Sequence, residues 1–284
     1  MSKLNHNVMN ATAWSSLTEI SSKLIAPITN MVLARLLTPE AFGVVATITM
    51  IISFTQLFSD AGFQKYLIQY EFENEDDKYK TTNVAFLSNL VLSLLLCCVI
   101  IFFSDTLAVV VGNPGLGDVI SIACISIPIA AFSSIQMALY KRSFDFKTLF
   151  YTRIVGVLIP LLITIPMAFY LRSYWALIIG TILVHTSNAI ILTIKSEWKP
   201  NFYFSINRLK KMFSFSSWML LDSILVWATS YIDIFIIGVV FNEYYLGLYK
   251  TSIITVGQIT AIITATIIPI LLPAFSRLQN DKEK

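Results

Sequence analysis

Long apolar stretches separated by short polar segments dominate the chain. Two of them, residues 13–34 and 212–241, carry internal charges but have spanning length. The other six are free of charge and extend over residues 41–59, 83–103, 119–139, 154–171, 173–194 and 251–275. A helix needs about 20 apolar residues to cross a membrane, and lipid admits only helices or closed barrels. Because strand-like alternation is absent, the pattern predicts an all-α polytopic membrane bundle of about eight transmembrane helices.

Composition strengthens this prediction. Of the 284 residues, 56% are hydrophobic and only 13% are charged, whereas soluble proteins carry about 25% charged residues. Soluble enzymes and disordered chains are therefore excluded. The three cysteines lie inside apolar runs, and no phosphate-binding loop, metal-ligand spacing or nucleophile–base arrangement is present, so we expect a transporter without cofactor or metal and not an enzyme.

The positions of Lys and Arg predict the orientation. With a cytoplasmic N-terminus, sixteen of the 20 Lys and Arg fall on the cytoplasmic side and only three fall on the outer side. Cytoplasmic loops are normally enriched in these residues. We therefore expect a multi-pass protein of a bacterial cytoplasmic membrane with both termini in the cytoplasm. The basic residues form no block, so no nucleic-acid partner is expected.

An internal repeat divides the chain. An offset of 204 residues aligns the seventh and eighth spans with the first two, and it pairs Trp14 with Trp218, Thr38 with Asn242 and Gly43 with Gly247. The predicted domains are a six-helix lobe over residues 1–199, an amphipathic interfacial linker helix over 200–215, and the first two helices of an incomplete second lobe over 216–284. Six helices separate the copies, so both copies point the same way.

Four segments carry a resemblance to a known family. They are Leu33–Gly43, Phe58–Phe63, Leu246–Tyr249 and Phe275–Gln279. Together they resemble the polysaccharide exporters and O-antigen (Wzx-type) flippases of the multidrug, oligosaccharidyl-lipid and polysaccharide exporter superfamily. Members of that family usually carry several more helices than eight, so the resemblance implies a C-terminally truncated chain.

The resemblance implies a V-shaped pair of six-helix lobes around a central cavity. It further implies translocation of an undecaprenyl-diphosphate-linked oligosaccharide for surface polysaccharide biosynthesis, by alternating access. The expected partners are the lipid-linked oligosaccharide, membrane lipids and the polysaccharide polymerase machinery.

Charged and polar residues inside spans are costly, so they are candidates for lining a cavity. In the first span Glu19, Lys23 and Asn30 lie on one polar stripe. Glu19 and Lys23 are four residues apart, so they could either neutralise each other or bind the sugar-diphosphate headgroup of a substrate. In the second span Gln56 and Asp60 lie on a comparable stripe, although Asp60 is near the cytoplasmic end and could instead be an interfacial anchor.

Further candidates lie on later spans. Asp222 and Asp233 are three turns apart on the seventh span and have no basic neighbour at i+4. Either they are buried and unpaired, in which case they could couple transport to protons, or they lie near the interfaces in water. Arg153 and Lys250 begin the fifth and eighth spans and could contact a diphosphate, or reach the interface as anchors.

Two alternative functions remain open. One is a drug or cation exporter of the same superfamily. The other is a non-transporting membrane fragment or scaffold whose polar stripes serve only helix packing.

Overall fold

The structure is a computed structural model, which describes the backbone of residues 2–278 and the side chains of residues 10, 12–261 and 264. The described backbone contains helices and no strand. The helices are α1 (Ser2–Leu36), α2 (Pro39–Asp60), α3 (Phe63–Gln69), α4 (Glu75–Phe102), α5 (Ser104–Val110), α6 (Gly117–Ala123), α7 (Ser126–Arg142), α8 (Phe146–Ile159), α9 (Ile165–Leu171), α10 (Trp175–Lys195), α11 (Ile206–Val240) and α12 (Glu243–Leu278). The predicted all-α polytopic bundle is confirmed.

Within the part of the chain that the structure describes, six helical segments are long and apolar enough to cross a membrane. They are Pro39–Asp60, Glu75–Phe102, Gly117–Arg142, Phe146–Leu171, Trp175–Lys195 and Ile206–Val240. The first and eighth predicted spans are also helical, as α1 and α12. They are not among these six, so the count of eight stays a prediction.

Local sequence sets the helix ends. The side chain of Asn74 accepts a hydrogen bond from the Asp77 N–H and begins α4, and Asp145 does the same for α8 through the Thr148 N–H. Pro39 is the first residue of α2, where its missing N–H costs nothing. Between α8 and α9 the backbone forms a short π-helix over Pro160–Thr164, because proline interrupts the regular hydrogen bonds.

Two helix boundaries agree with the repeat offset of 204 residues. Leu36, the last residue of α1, corresponds to Val240, the last residue of α11, and Pro39, the first residue of α2, corresponds to Glu243, the first residue of α12. The repeat itself stays a prediction. Asn242 accepts a hydrogen bond from the Tyr245 N–H at 3.2 Å, so its side chain caps the start of α12.

The core lies between α2, α4, α6, α7 and α10. It contains the buried side chains Val44, Ile48, Cys97, Ile100, Val119, Ile120, Cys124, Ile127 and Ile178. Many large apolar side chains instead face outward, among them Leu24, Leu95, Val109, Tyr170 and Leu225. Exposed apolar surface around a packed interior is typical of helices that face lipid.

The predicted linker helix over residues 200–215 is not separate. Its residues from Ile206 onward form the first turns of α11, which continues without a break into the seventh span. Met212 is fully buried in a second hydrophobic cluster, which includes Phe63 and Phe86, and Leu209 packs against that cluster, so part of the apolar face contacts protein instead of lipid. At the same end Arg208 donates hydrogen bonds to Asp77 and Thr81 of α4. The division into domains stays a prediction.

Candidate functional site

A polar cavity of about 460 Å³ lies between α2, α3 and α11. Its volume falls within the range of small-molecule sites, about 300–1,000 Å³. We call it the α2–α11 cavity. Its polar lining comprises Ser53, Gln56, Asp60, Gln64, Lys65, Asp222, Ser223, Ser230 and Tyr231. Two charged residues and one amide predicted from sequence therefore share one site: Asp60, Asp222 and Gln56.

The end of α2 positions the stripe that enters this cavity. Ser53, Gln56 and Asp60 are spaced by three and four residues, so they project from one face of the helix. Helix α2 ends immediately afterwards in two left-handed residues, Ala61 with φ 44° and Gly62 with φ 78°. A Cβ atom on Gly62 would lie 2.8 Å from the Cβ of Ser216, so glycine lets α11 approach this turn closely.

Across the cavity, the side chain of Lys65 on α3 forms an ion pair with Asp222 and a hydrogen bond with Ser223, both on α11. Its Nζ lies 3.3 Å from Asp222 Oδ2 and 3.3 Å from Ser223 Oγ. The side chains of Lys65 and Asp222 are 40% and 67% exposed, so the cavity is open to the surface here. The first of the two alternatives for Asp222, buried and unpaired, is wrong, because the side chain is exposed and its partner comes from a residue 157 positions earlier in the chain.

Two buried polar atoms in this cavity have no hydrogen-bond partner among the described residues. They are Gln56 Nε2, a donor, and Asp60 Oδ1, an acceptor. Leaving a buried polar group unsatisfied costs about 1–3 kcal/mol, and more for a charged group. Both atoms are inaccessible to solvent, so they lie in the packing behind the cavity lining and are not presented to a molecule in the cavity.

Aromatic side chains form one wall. The Trp227 Nε1 donates to Ser53 Oγ at 2.9 Å, and the Trp227 ring lies 4.6 Å from Phe54 and 5.5 Å from Tyr231 between ring centroids. These contacts fix the indole against α2. Neither this wall nor Lys65 was predicted from the sequence. The available signal for the wall was the four-residue spacing of Trp227 and Tyr231, which places both rings on one helix face next to Ser230.

Asp233 lies elsewhere on α11 and also has a partner. The Tyr249 hydroxyl of α12 donates to its Oδ2 at 2.5 Å, and the Ile234 N–H donates to its Oδ1. Lys250 lies over the Tyr231 ring with its Nζ 5.7 Å from the centroid. The alternative of an unpaired Asp233 is therefore wrong as well, since a hydroxyl from the neighbouring helix donates to it.

The remaining predicted residues are not in this cavity. Glu19 and Lys23 form an ion pair at 3.5 Å, the first of the two alternatives drawn from their spacing. Arg153 of α8 donates through Nε to Ser22 Oγ of α1 at 3.3 Å. Asn30 lines a separate, mainly apolar groove of about 440 Å³ between α1 and α12, together with Gln258.

Comparison with known proteins places the chain in a family. Residues 32–284 match the model of a family described as polysaccharide biosynthesis protein. The chain is 22% identical over 291 residues to the lipopolysaccharide biosynthesis protein WzxC of Escherichia coli K12, covering 99% of this chain and 57% of that protein. It is 24% identical over 271 residues to the succinoglycan biosynthesis transport protein ExoT of Rhizobium meliloti 1021, covering 95% and 54%.

A third relative is an uncharacterized membrane protein in the cps region of Klebsiella pneumoniae, 24% identical over 287 residues, covering 99% of this chain and 58% of that protein. The chain thus spans a little over half the length of the curated relatives it matches. No solved structure matches it significantly. With a family match over residues 32–284 and six apolar helices of spanning length, the chain is a multi-pass membrane protein and belongs to the polysaccharide biosynthesis protein family.

Proposed function

We propose that the protein translocates undecaprenyl-diphosphate-linked oligosaccharide repeat units across a bacterial cytoplasmic membrane, as a transporter and not as an enzyme. The observation that carries this proposal is the α2–α11 cavity, where Gln56, Asp60 and Asp222 line one space between two helices long enough to span a membrane. Polar groups inside spanning helices mark substrate or ion pathways. The relatives named for lipopolysaccharide and succinoglycan biosynthesis favour a glycan as cargo.

The arrangement of contacts supports alternating access. Helices α2 and α12 are in close contact where both begin, at Gly43 and Gly247, whereas the cavity is open at the Asp60 end of α2. Under the orientation predicted from Lys and Arg, with both termini in the cytoplasm, the Asp60 end is cytoplasmic. This conformation then accepts the headgroup from the inner leaflet, and separation of the α2–α12 contact releases it on the other side.

In this proposal, residues 1–199 form the first lobe and 216–284 contribute the first helices of the second lobe. The cavity between them holds the headgroup, with Gln56, Asp60 and Asp222 as substrate-facing residues. The polysaccharide polymerase machinery would take up the product on the outer side.

Proton coupling through Asp222 or Asp233 would require a change in their contacts. Asp222 would have to release Lys65, and Asp233 would have to release the Tyr249 hydroxyl, before a proton could take the partner's place.

Genetic complementation tests the proposal. The chain is expressed in cells whose polysaccharide flippase has been deleted, and surface glycan and lipid-linked oligosaccharide in the inner leaflet are measured. We expect surface glycan to return and the intermediate to disappear, with loss of both effects in a D60N variant that inserts normally. Export of small cations or dyes without restored glycan would favour a drug or cation exporter. An inserted, stable chain with neither activity would favour a non-transporting scaffold.

A further inference from the structure

We propose that the end of the segment joining α10 to α11, together with the first turns of α11, binds anionic phospholipid at the membrane surface. The side chains that form this surface are named the Phe–Lys patch and comprise Phe202, Phe204, Ile206, Lys210 and Lys211. The aromatic rings enter the interface and the two ammonium groups bind the headgroups. Under the predicted orientation the patch lies at the inner leaflet, and its binding does not depend on which cargo the protein carries.

The apolar side chains of the patch are highly exposed. Phe202 is 96% exposed, the largest value for a large apolar side chain in the described part of the chain. Phe204 and Ile206 are also more than half exposed. Leaving apolar surface in water is unfavourable. Phenylalanine beside basic residues is typical of surfaces that bury their apolar side in the boundary between headgroups and acyl chains.

Contacts with the rest of the protein hold this segment in place. The Asn201 N–H donates to Asn83 Oδ1 of α4 at 3.1 Å. Tyr203 lies next to α4, with the Lys80 Nζ 6.0 Å from its ring centroid. Trp198, a few residues earlier, is buried. The phenylalanines on either side of Tyr203 are therefore exposed because they face away from the protein.

The same contacts place the patch at the level of a membrane surface. Asn83 is the first residue of the uncharged run over residues 83–103, and Lys80 belongs to the charged turns that precede this run. Arg208 donates to Thr81, so the first turns of α11 lie at the same level. The patch thus lies where the charged end of α4 meets its apolar part, which is where a spanning helix crosses from water into lipid.

Charge favours anionic lipid as the occupant. Lys210 and Lys211 are exposed, and neither forms an ion pair or hydrogen bond with the residues that the structure describes. The carboxylate of Asp77 attracts Lys211 electrostatically but is already bonded to Arg208. Lys210 is four residues after Ile206, so the two share a helix face. Unpaired ammonium groups next to exposed apolar side chains complement a negatively charged headgroup above its acyl chains.

Quenching by spin-labelled lipids tests the patch. A fluorophore is attached to N201C in a C98S background, because Cys98 is exposed whereas Cys97 and Cys124 are buried. The full chain is placed in nanodiscs that contain either phosphatidylglycerol or phosphatidylcholine carrying a nitroxide near the top of one acyl chain. We expect phosphatidylglycerol to quench about threefold more or better, since about 1 kcal/mol per lysine corresponds to about fivefold enrichment.

Variants separate the two parts of the patch. K210Q/K211Q should bring the quenching ratio of the two lipids close to one. K141Q/K147Q is the matched control, because it removes the same charge from exposed lysines on other elements and should leave the ratio unchanged. F202S/F204S should reduce quenching by both lipids, because the segment loses its apolar contact with the interface.

Three results would overturn the inference. The first is equal quenching of the parent chain by the two lipids. The second is an unchanged ratio in K210Q/K211Q, or an equal fall in K141Q/K147Q, which would assign the preference to total charge. The third is absence of quenching by either lipid, which would leave the patch to a protein partner. If F202S/F204S does not fold, as judged by its elution from a sizing column, K210Q/K211Q decides alone, because its two lysines are exposed. Failure of the proposed function looks different, since complementation is then negative while the quenching ratio is unaffected.

Discussion

Gly43 and Gly247 make the same contact from opposite sides of the α2–α12 interface. A methyl group on Gly43 would overlap the backbone carbonyl of Glu243, and one on Gly247 would overlap the backbone carbonyl of Pro39. The repeat offset of 204 relates the two glycines to each other, and it also relates Pro39 to Glu243. The contact therefore has local twofold character about an axis between the helices, which brings the first turns of α2 and α12 together.

The first prediction concerns this contact. G43A and G247A should each destabilise the protein by about 1–3 kcal/mol, because backbone atoms of the opposing helix cannot rotate away from the added methyl group. Alanine has a higher helix propensity than glycine, so propensity alone would predict that these substitutions stabilise the protein. Thermal unfolding in detergent measures it. G257A on α12 is the matched control, since a Cβ there would contact nothing within 4 Å. Unfolding of G43A at the parent temperature would contradict the prediction.

A second prediction concerns the ion pair between α11 and α4. Arg208 donates to both Asp77 and Thr81, and the side chains of Arg208 and Asp77 are only 28% and 19% exposed. R208A and D77A should show a coupling free energy of about 1 kcal/mol or more in a double-mutant cycle, because partly buried charged hydrogen bonds are stronger than exposed ones. The Lys80–Asp76 pair is more exposed and should couple by about 0.3–0.5 kcal/mol. Equal coupling in the two cycles would show that the Arg208 contact contributes no more than a surface pair.

The third prediction separates stability from transport at Lys65 and Asp222. Because this pair is largely exposed, D222N should change the free energy of unfolding by less than about 1 kcal/mol. The same variant should reduce restoration of surface glycan, since Asp222 lines the cavity. The charge-exchanged variant K65D/D222K tests whether the pair itself matters and should recover part of the activity. If D222N loses much stability but restores surface glycan like the parent chain, the pair stabilises the fold and does not act in transport.

A fourth prediction concerns Asp233 and Tyr249. Y249F removes the hydroxyl that donates to Asp233 Oδ2 and leaves a carboxylate oxygen without that partner. We expect a destabilisation of about 1–3 kcal/mol, measured by thermal unfolding. Y245F is the control, because Tyr245 is 55% exposed. If Y249F and Y245F unfold alike, the hydroxyl does not hold α11 and α12 together.

Hydrophobic patterning was sufficient for the class of fold. Lipid admits only helices or closed barrels, and the apolar runs lack the alternation of barrel strands, so an all-α bundle followed directly from the sequence. The 204-residue repeat also followed, since Trp14 and Trp218 mark matching helices and Gly43 and Gly247 mark matching turns. The stripe of Gln56 and Asp60 was visible because residues spaced by three and four share one face of a helix.

Relationships between helices required the tertiary structure. Sequence spacing reports neighbours on the same helix, and on that basis Asp222 and Asp233 had no basic partner at i+4. Packing brings Lys65 to Asp222 and Tyr249 to Asp233. The same limit applied to residues 200–215, whose amphipathic pattern fits a helix on the membrane surface as well as the first turns of α11 packed on protein. The sequence by itself determined the membrane helices and their polar faces, and the packing of those helices decided which polar groups meet.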